Sequence, residues 1–364
     1  MTDDPKLAMP GGGGSLLDRR RVLAGTGAAL GTAGLVTGFP SILRAQSTTL
    51  TVPNSGGALE EAFKVAYFDT FKAKTGIQIV GAPYMDTARV KAMVDNNAVD
   101  VDVLNIDATE AAALAQLGLL EPIDFDLIDR SALLPEATAS DYYLLADVAA
   151  YVMAWNTGSF DAGTRPKDWT EFFDPELDAQ RSLWKLAPQT LEVAAMGGGQ
   201  PRDKLYPIDL DLAFRMLDGI KPSLTWWTSG AQAAQLVIGG EVDVGTVWNG
   251  RVYQTKEEGG PVDYTFDHAL YVCDAMVIPK GAKNKKAAME FLANMMDAQN
   301  QATFAKAIPY GPVNTKAFEL LSEAELARLP NSPQNSKTAV FQNFDYWAEN
   351  GPAVFDRFNK WLLG

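Results

Sequence analysis

Cys273 is the only cysteine and His268 the only histidine among 364 residues. One cysteine cannot close an internal disulfide, so the chain must fold on its core alone. One histidine leaves almost no route to His-based metal sites or to Ser-His-Asp and Cys-His catalysis. No Walker A loop, HExxH, GxSxG or CxxC pattern occurs. The Gly197-Gly198-Gly199 run follows no clear strand and reads as a turn, not a phosphate cradle. No spacing selects two carboxylates as a glycosidase pair. No catalytic residue, metal or cofactor is therefore assigned. Positive charge is scarce: 31 Lys and Arg against 45 Asp and Glu give −14, which argues against nucleic acid and anionic membrane as partners. The apolar run from Ala24 to Gly38 is too short and too poor in large residues to span a bilayer.

With 47% hydrophobic and 21% charged residues, the chain suits a soluble globular protein of two domains. Its N-terminus reads as a targeting segment. Asp18-Arg19-Arg20-Arg21-Val22-Leu23 carries paired arginines, the Ala-Gly run follows, and Leu43-Arg44-Ala45 offers a cleavage site. Residues 1–45 are thus expected to be a twin-arginine signal peptide, and the mature protein to be periplasmic.

Thr49 to Val52 predicts a strand. Leu59, Phe63, Ala66, Tyr67 and Phe71 then recur at helical spacing up to Gly76, and Ile77 to Val80 predicts a second strand. This βαβ opening implies α/β architecture with parallel strands. Val101 to Ile106 reads as a buried strand closed by Asp107, a natural helix cap. Tyr151 to Trp155 and Leu183 to Leu186 are further strands. Helices are expected over Ile208 to Leu217, Ala231 to Ile238, Lys285 to Met296, Asn300 to Ala307 and Trp347 to Leu363.

The organising stretch runs from Gly239 to Asp274. Val242, Val244 and Val247 mark a buried strand that turns at Trp248-Asn249-Gly250. One strand from Val262 and another from Ala269 to Val272 lead to Asp274. Ligands of open α/β sheets sit outside strand ends. An indole face with a carboxylate suits an organic ammonium group. The plainer alternative is a core Trp and a solvated Asp. Ser55-Gly56-Gly57 opens a helix whose N–H groups could take a carboxylate, and Arg251 could add a guanidinium fork.

Four segments carry a resemblance: GEVDVGTVWNG (Gly240 to Gly250), CDAMVIPKGAKNKKAAMEFL (Cys273 to Leu292), IPYGPVN (Ile308 to Asn314) and PKDWTEFFDPEL (Pro166 to Leu177). In this order they resemble the polyamine-type (spermidine/putrescine) extracellular solute-binding proteins of ABC transporters. The resemblance implies a type II periplasmic-binding fold, with two lobes hinged around a central ligand cleft. The expected division is 46–156 plus 271–316 for lobe 1 and 157–270 plus 317–364 for lobe 2. It further implies a monomer that binds a small amine, a membrane permease with a separate ATPase, and no catalytic site. Matched position by position, Trp248, Asp274, Tyr310, Glu192 and Ser229 would contact ligand. Gln189 stands in place of a second acid. Val272 replaces a Trp, with Tyr271 beside it as compensation. A polyamine of the putrescine/spermidine class is the first expectation. A zwitterion such as 4-aminobutyrate, an opine or an amino acid is the alternative, and an exported enzyme the third.

Overall fold

The computed structural model describes residues 49–54 and 56–364. The signal-peptide reading, its cleavage site and Ser55 lie outside the described residues. Eleven strands are described: β1 Thr49–Asn54, β2 Gln78–Pro83, β3 Leu104–Asp107, β4 Tyr143–Leu145, β5 Ala149–Asn156, β6 Arg181–Trp184, β7 Leu224–Trp227, β8 Val244–Trp248, β9 Val262–Val272, β10 Asp274–Val277 and β11 Val340–Phe341. They form a β1-β2 pair, a β3-β10-β4 sheet and a β11-β9-β5-β8-β6-β7 sheet.

The expected βαβ opening is present. β1 and β2 pair in parallel, joined by a helical run from Gly57 to Thr75 that Gly76 ends in the left-handed conformation, φ 76°. Phe63, Tyr67 and Phe71 are buried along that run. Tyr67 stacks on Phe304 at 5.4 Å, and Phe71 meets Phe291 edge-on at the same distance. Two helices from late in the chain, Lys285–Met295 and Ala298–Ala307, are thereby pinned to the aromatic core of its opening.

Three expectations change. The stretch from Val262 to Val272 is one strand, not two; its pairing with β5 shifts register, and His268 takes φ 59° there. Asp274 begins a strand instead of ending one. The chain passes into the six-stranded sheet between Leu145 and Ala149, before the crossover expected after Asn156. All eight residues of β5 are buried, because β8 and β9 flank it on both sides. The PKDWTEFFDPEL segment has a structural task. Its Phe172, Asp174 and Leu177 carbonyls, with the Ala179 carbonyl and the Ser223 hydroxyl, accept hydrogen bonds from the buried Arg181 guanidinium at 2.7–2.9 Å.

Candidate functional site

One edge of the β3-β10-β4 sheet is acidic. β3 ends at Asp107, β10 starts at Asp274 directly opposite, and Asp147 lies just past the end of β4. The Ala146 N–H donates to the Asp274 carbonyl at 2.8 Å, extending the pairing and setting Asp147 beside Asp274. Sheet order alone therefore gathers three carboxylates that are far apart in sequence. All three line a cleft of about 340 Å³.

The facing wall comes from the six-stranded sheet. Trp248 ends β8 and Trp184 ends β6. The Trp248 ring meets Trp184 and Trp227 edge-on at 5.2 Å each, and those two stack on one another. Its Nε1 donates to Gln189 Oε1 at 2.9 Å. Gln189 is buried with φ 69°, a left-handed conformation that a non-glycine holds only when its surroundings enforce it. The next residue, Asn249, is fully buried. Its Oδ1 accepts from the Ala150 N–H at 3.0 Å and its Nδ2 donates to the Pro309 carbonyl at 2.7 Å. This ties the turn to β5 and to the loop that carries Tyr310. Gly250 completes the fit, since a Cβ there would lie 2.7 Å from Tyr310 Cε1. Gly230 does the same for Trp248 and Arg251, whose Cε3 and Nε would be 2.8 and 2.9 Å from an added Cβ.

Electrostatics divide the cleft. Asp147 is 1% exposed, and neither of its carboxylate oxygens has a hydrogen-bond partner among the described residues. Burial pushes its carboxyl well up, and the Asp274 charge adds to this, while the nearby Asp274 backbone N–H offsets part of it. Burial also pushes Asp274 up, to about 7, with Asp107 and Glu110 contributing. Asp107 is raised by burial, although it caps the helix Ala108–Gln116 by accepting from Thr109. The Tyr310 hydroxyl is raised by burial and by Asp147 and Asp274. Arg251 also lines the cleft, and no ion pair to it occurs among the described residues. Gly56, Gly57, Ala58 and Leu59 lie along the cleft as well, and this helix start has no side-chain cap.

Five expected residues thus meet in one place: Trp248, Asp274, Tyr310, Arg251 and Gly56. Three lie elsewhere. Glu192 is fully buried, and its Oε1 accepts from Tyr206, Gln342 and Trp347 at 2.9, 3.0 and 2.5 Å. Tyr271 is 3% exposed and donates to the Pro330 carbonyl at 2.7 Å. Ser229 caps the helix Gly230–Ile238. Sequence reasoning missed Asp147 and Trp184. The signal for Asp147 was an acid inside an otherwise apolar stretch, LLADVAAY.

The model of bacterial extracellular solute-binding proteins matches residues 66–334. The chain belongs to that family. It is a solute-binding receptor of an ABC importer, not an enzyme, and has the two-lobed α/β periplasmic-binding-protein fold. The receptor is 33% identical over 330 residues to the gamma-aminobutyric acid-binding protein of Pseudomonas aeruginosa, across 89% of this chain and 93% of that protein. The solved Atu4243 GABA receptor is 35% identical, with a TM-score of 0.79, covering 86% of this chain and 97% of that one. The spermidine/putrescine-binding periplasmic protein 1 of Haemophilus influenzae is 25% identical over 265 residues, 70% of this chain and 73% of that protein. The resemblance to solute-binding proteins therefore holds at family level, and its polyamine branch is the more distant one. Among the described residues no helix is long and apolar enough to cross a membrane.

Proposed function

We propose that this receptor captures a small zwitterionic amine of the 4-aminobutyrate class. The observation that carries this reading is Arg251 in the same cleft as Asp107, Asp147 and Asp274. The carboxylates with Trp248 and Tyr310 suit an ammonium group. Arg251 and the uncapped helix start at Gly57 suit a carboxylate. A diamine would meet the wrong sign of charge at that second end. The similarity to two GABA receptors supports the same choice. The polyamine reading keeps one supporting observation, the three carboxylates, which exceed what one ammonium needs.

In this reading the mature protein is a periplasmic monomer exported by the twin-arginine route, and it delivers its ligand to a permease driven by a separate ATPase. Its lobes divide where the chain changes sheets, near 146–148 and 273, with a return beyond 320. Calorimetry decides between the ligands. 4-Aminobutyrate is expected to bind and putrescine and spermidine to bind at least tenfold more weakly. Arg251→Gln is expected to remove roughly 1.5–3 kcal/mol of 4-aminobutyrate affinity, as loss of a charged hydrogen bond does. Tighter binding of the diamines would reject the zwitterion assignment.

A further inference from the structure

We propose that Asp147 is a specificity-determining acceptor that, with Asp274, binds an unsubstituted primary ammonium group and releases a proton to solvent as the ligand enters. The proposal rests on the amine reading above and names which amines are taken. Asp147 is 1% exposed, lines the cleft, and has two oxygens without a hydrogen-bond partner among the described residues. Burial penalises the charged form of a carboxylate in that setting more than the Asp274 backbone N–H favours it, so the empty cleft shifts Asp147 toward the neutral acid.

The groups facing it do not relieve this. Asp274 sits beside it and Asp107 beyond, while Glu110 adds negative charge to Asp274. The Cys273 thiol and the Tyr67 and Tyr310 hydroxyls lie close, each held protonated chiefly by burial, so none of them brings a positive charge to Asp147. Arg251 is the cation among the residues that line the cleft, and its charge acts on Tyr310. A primary ammonium brings three N–H donors and one positive charge. It can bond both Asp147 and Asp274, and the carboxylic proton of the pair then leaves to bulk solvent. A trimethylammonium group brings the charge without a donor and leaves both Asp147 oxygens unpaired.

The sign of the pH effect follows. Burial and Asp274 raise the Asp147 carboxyl in the empty receptor, and a bound ammonium lowers it again. Affinity therefore rises with pH until the acid is ionised without ligand, by up to about tenfold per pH unit for one proton released.

The test is calorimetry of the mature receptor with 4-aminobutyrate at pH 7 in two buffers of different ionisation enthalpy. Net proton release is expected. The trimethylated analogue, 4-(trimethylammonio)butyrate, is expected to bind on the order of 100-fold more weakly, because it leaves the buried Asp147 oxygens without a donor. Asp147→Asn is expected to lose both the preference and most of the release, whereas Asp274→Asn retains a release. Equal binding of the two amines by the wild type, or binding without proton release, would overturn the proposal even if the Asp147 variant fails to fold. Where 4-aminobutyrate does not bind, putrescine and its N-trimethyl derivative replace the pair. The zwitterion reading then fails, while the Asp147 proposal stands or falls on the same two readouts. No binding of any primary amine rejects both.

Discussion

Asp107 and Asp274 are register partners across β3 and β10, two acids directly opposite each other at a strand end. Like charges in that position destabilise a sheet. The two carboxyls are not equivalent. Burial raises both, but Asp107 is relieved in part by Thr109 as a helix cap, whereas Asp274 is raised to about 7. The strain falls on the residue that an arriving cation would relieve.

Asp274→Asn is expected to weaken amine binding by about 2–5 kcal/mol, the range for removing one partner of a desolvated charge pair. The empty protein responds in the opposite sense. A carboxyl raised in the folded state contributes stability at low pH that is lost as pH rises through about 7. The variant should therefore melt higher than wild type at pH 8 and show no gain at pH 4. Thermal melts at both pH values, with calorimetry, check this. Unchanged affinity removes Asp274 from the site.

Trp248→Leu keeps an apolar side chain and deletes the ring face. A desolvated cation–π contact is worth roughly 2 kcal/mol, so affinity should fall about 30-fold. The variant also loses the hydrogen bond to Gln189 and the packing against Trp184 and Trp227, and its melting temperature should fall as well. Ligand-induced change in tryptophan emission separates the two effects: part of the wild-type signal must vanish in the folded variant.

Gly250→Ala places a Cβ 2.7 Å from the Tyr310 ring and must move it. Binding is expected to weaken at least tenfold with little loss of stability. Gly250→Ala and Tyr310→Leu should then be strongly non-additive, because both disturb one contact. Additive losses in a double-mutant cycle would separate the two residues.

Glu192 is expected to act on stability and not on affinity. Glu192→Leu strands the Tyr206, Gln342 and Trp347 donors and should cost about 3 kcal/mol or more by denaturant titration. Glu192→Gln keeps an acceptor. Burial raises the Glu192 carboxyl, so its stabilising effect declines as pH rises, and the Gln variant should flatten that decline. A large loss of affinity in folded Glu192→Gln would return this residue to the site.

Local pattern made part of this molecule legible. The β1-helix-β2 opening, the strand that ends at Trp248 and the helices after Lys285 follow from apolar periodicity and glycine stops, and the structure contains them. The Trp248-Asn249-Gly250 turn was legible as a motif, but its reason was not, because Tyr310 lies 60 residues away. Sheet order was the hidden quantity. Placing β10 between β3 and β4 is what sets Asp147 beside Asp274, and no window of sequence contains that information. Glu192 misled for the converse reason. Its three hydrogen-bond donors come from Tyr206, Gln342 and Trp347, so its burial depends on distant segments.

Cys273 lines the same cleft, buried beside Asp274, and burial together with the neighbouring acids pushes its thiol well up. The thiolate is the form that attacks disulfides and meets oxidants. Proteins of an extracellular family work where no reducing pool protects a single unpaired sulfur. Burial first, and the acids of the cleft after it, keep this sulfur chemically quiet. The receptor can thus carry an unpaired cysteine through an oxidising environment as a buried, protonated thiol.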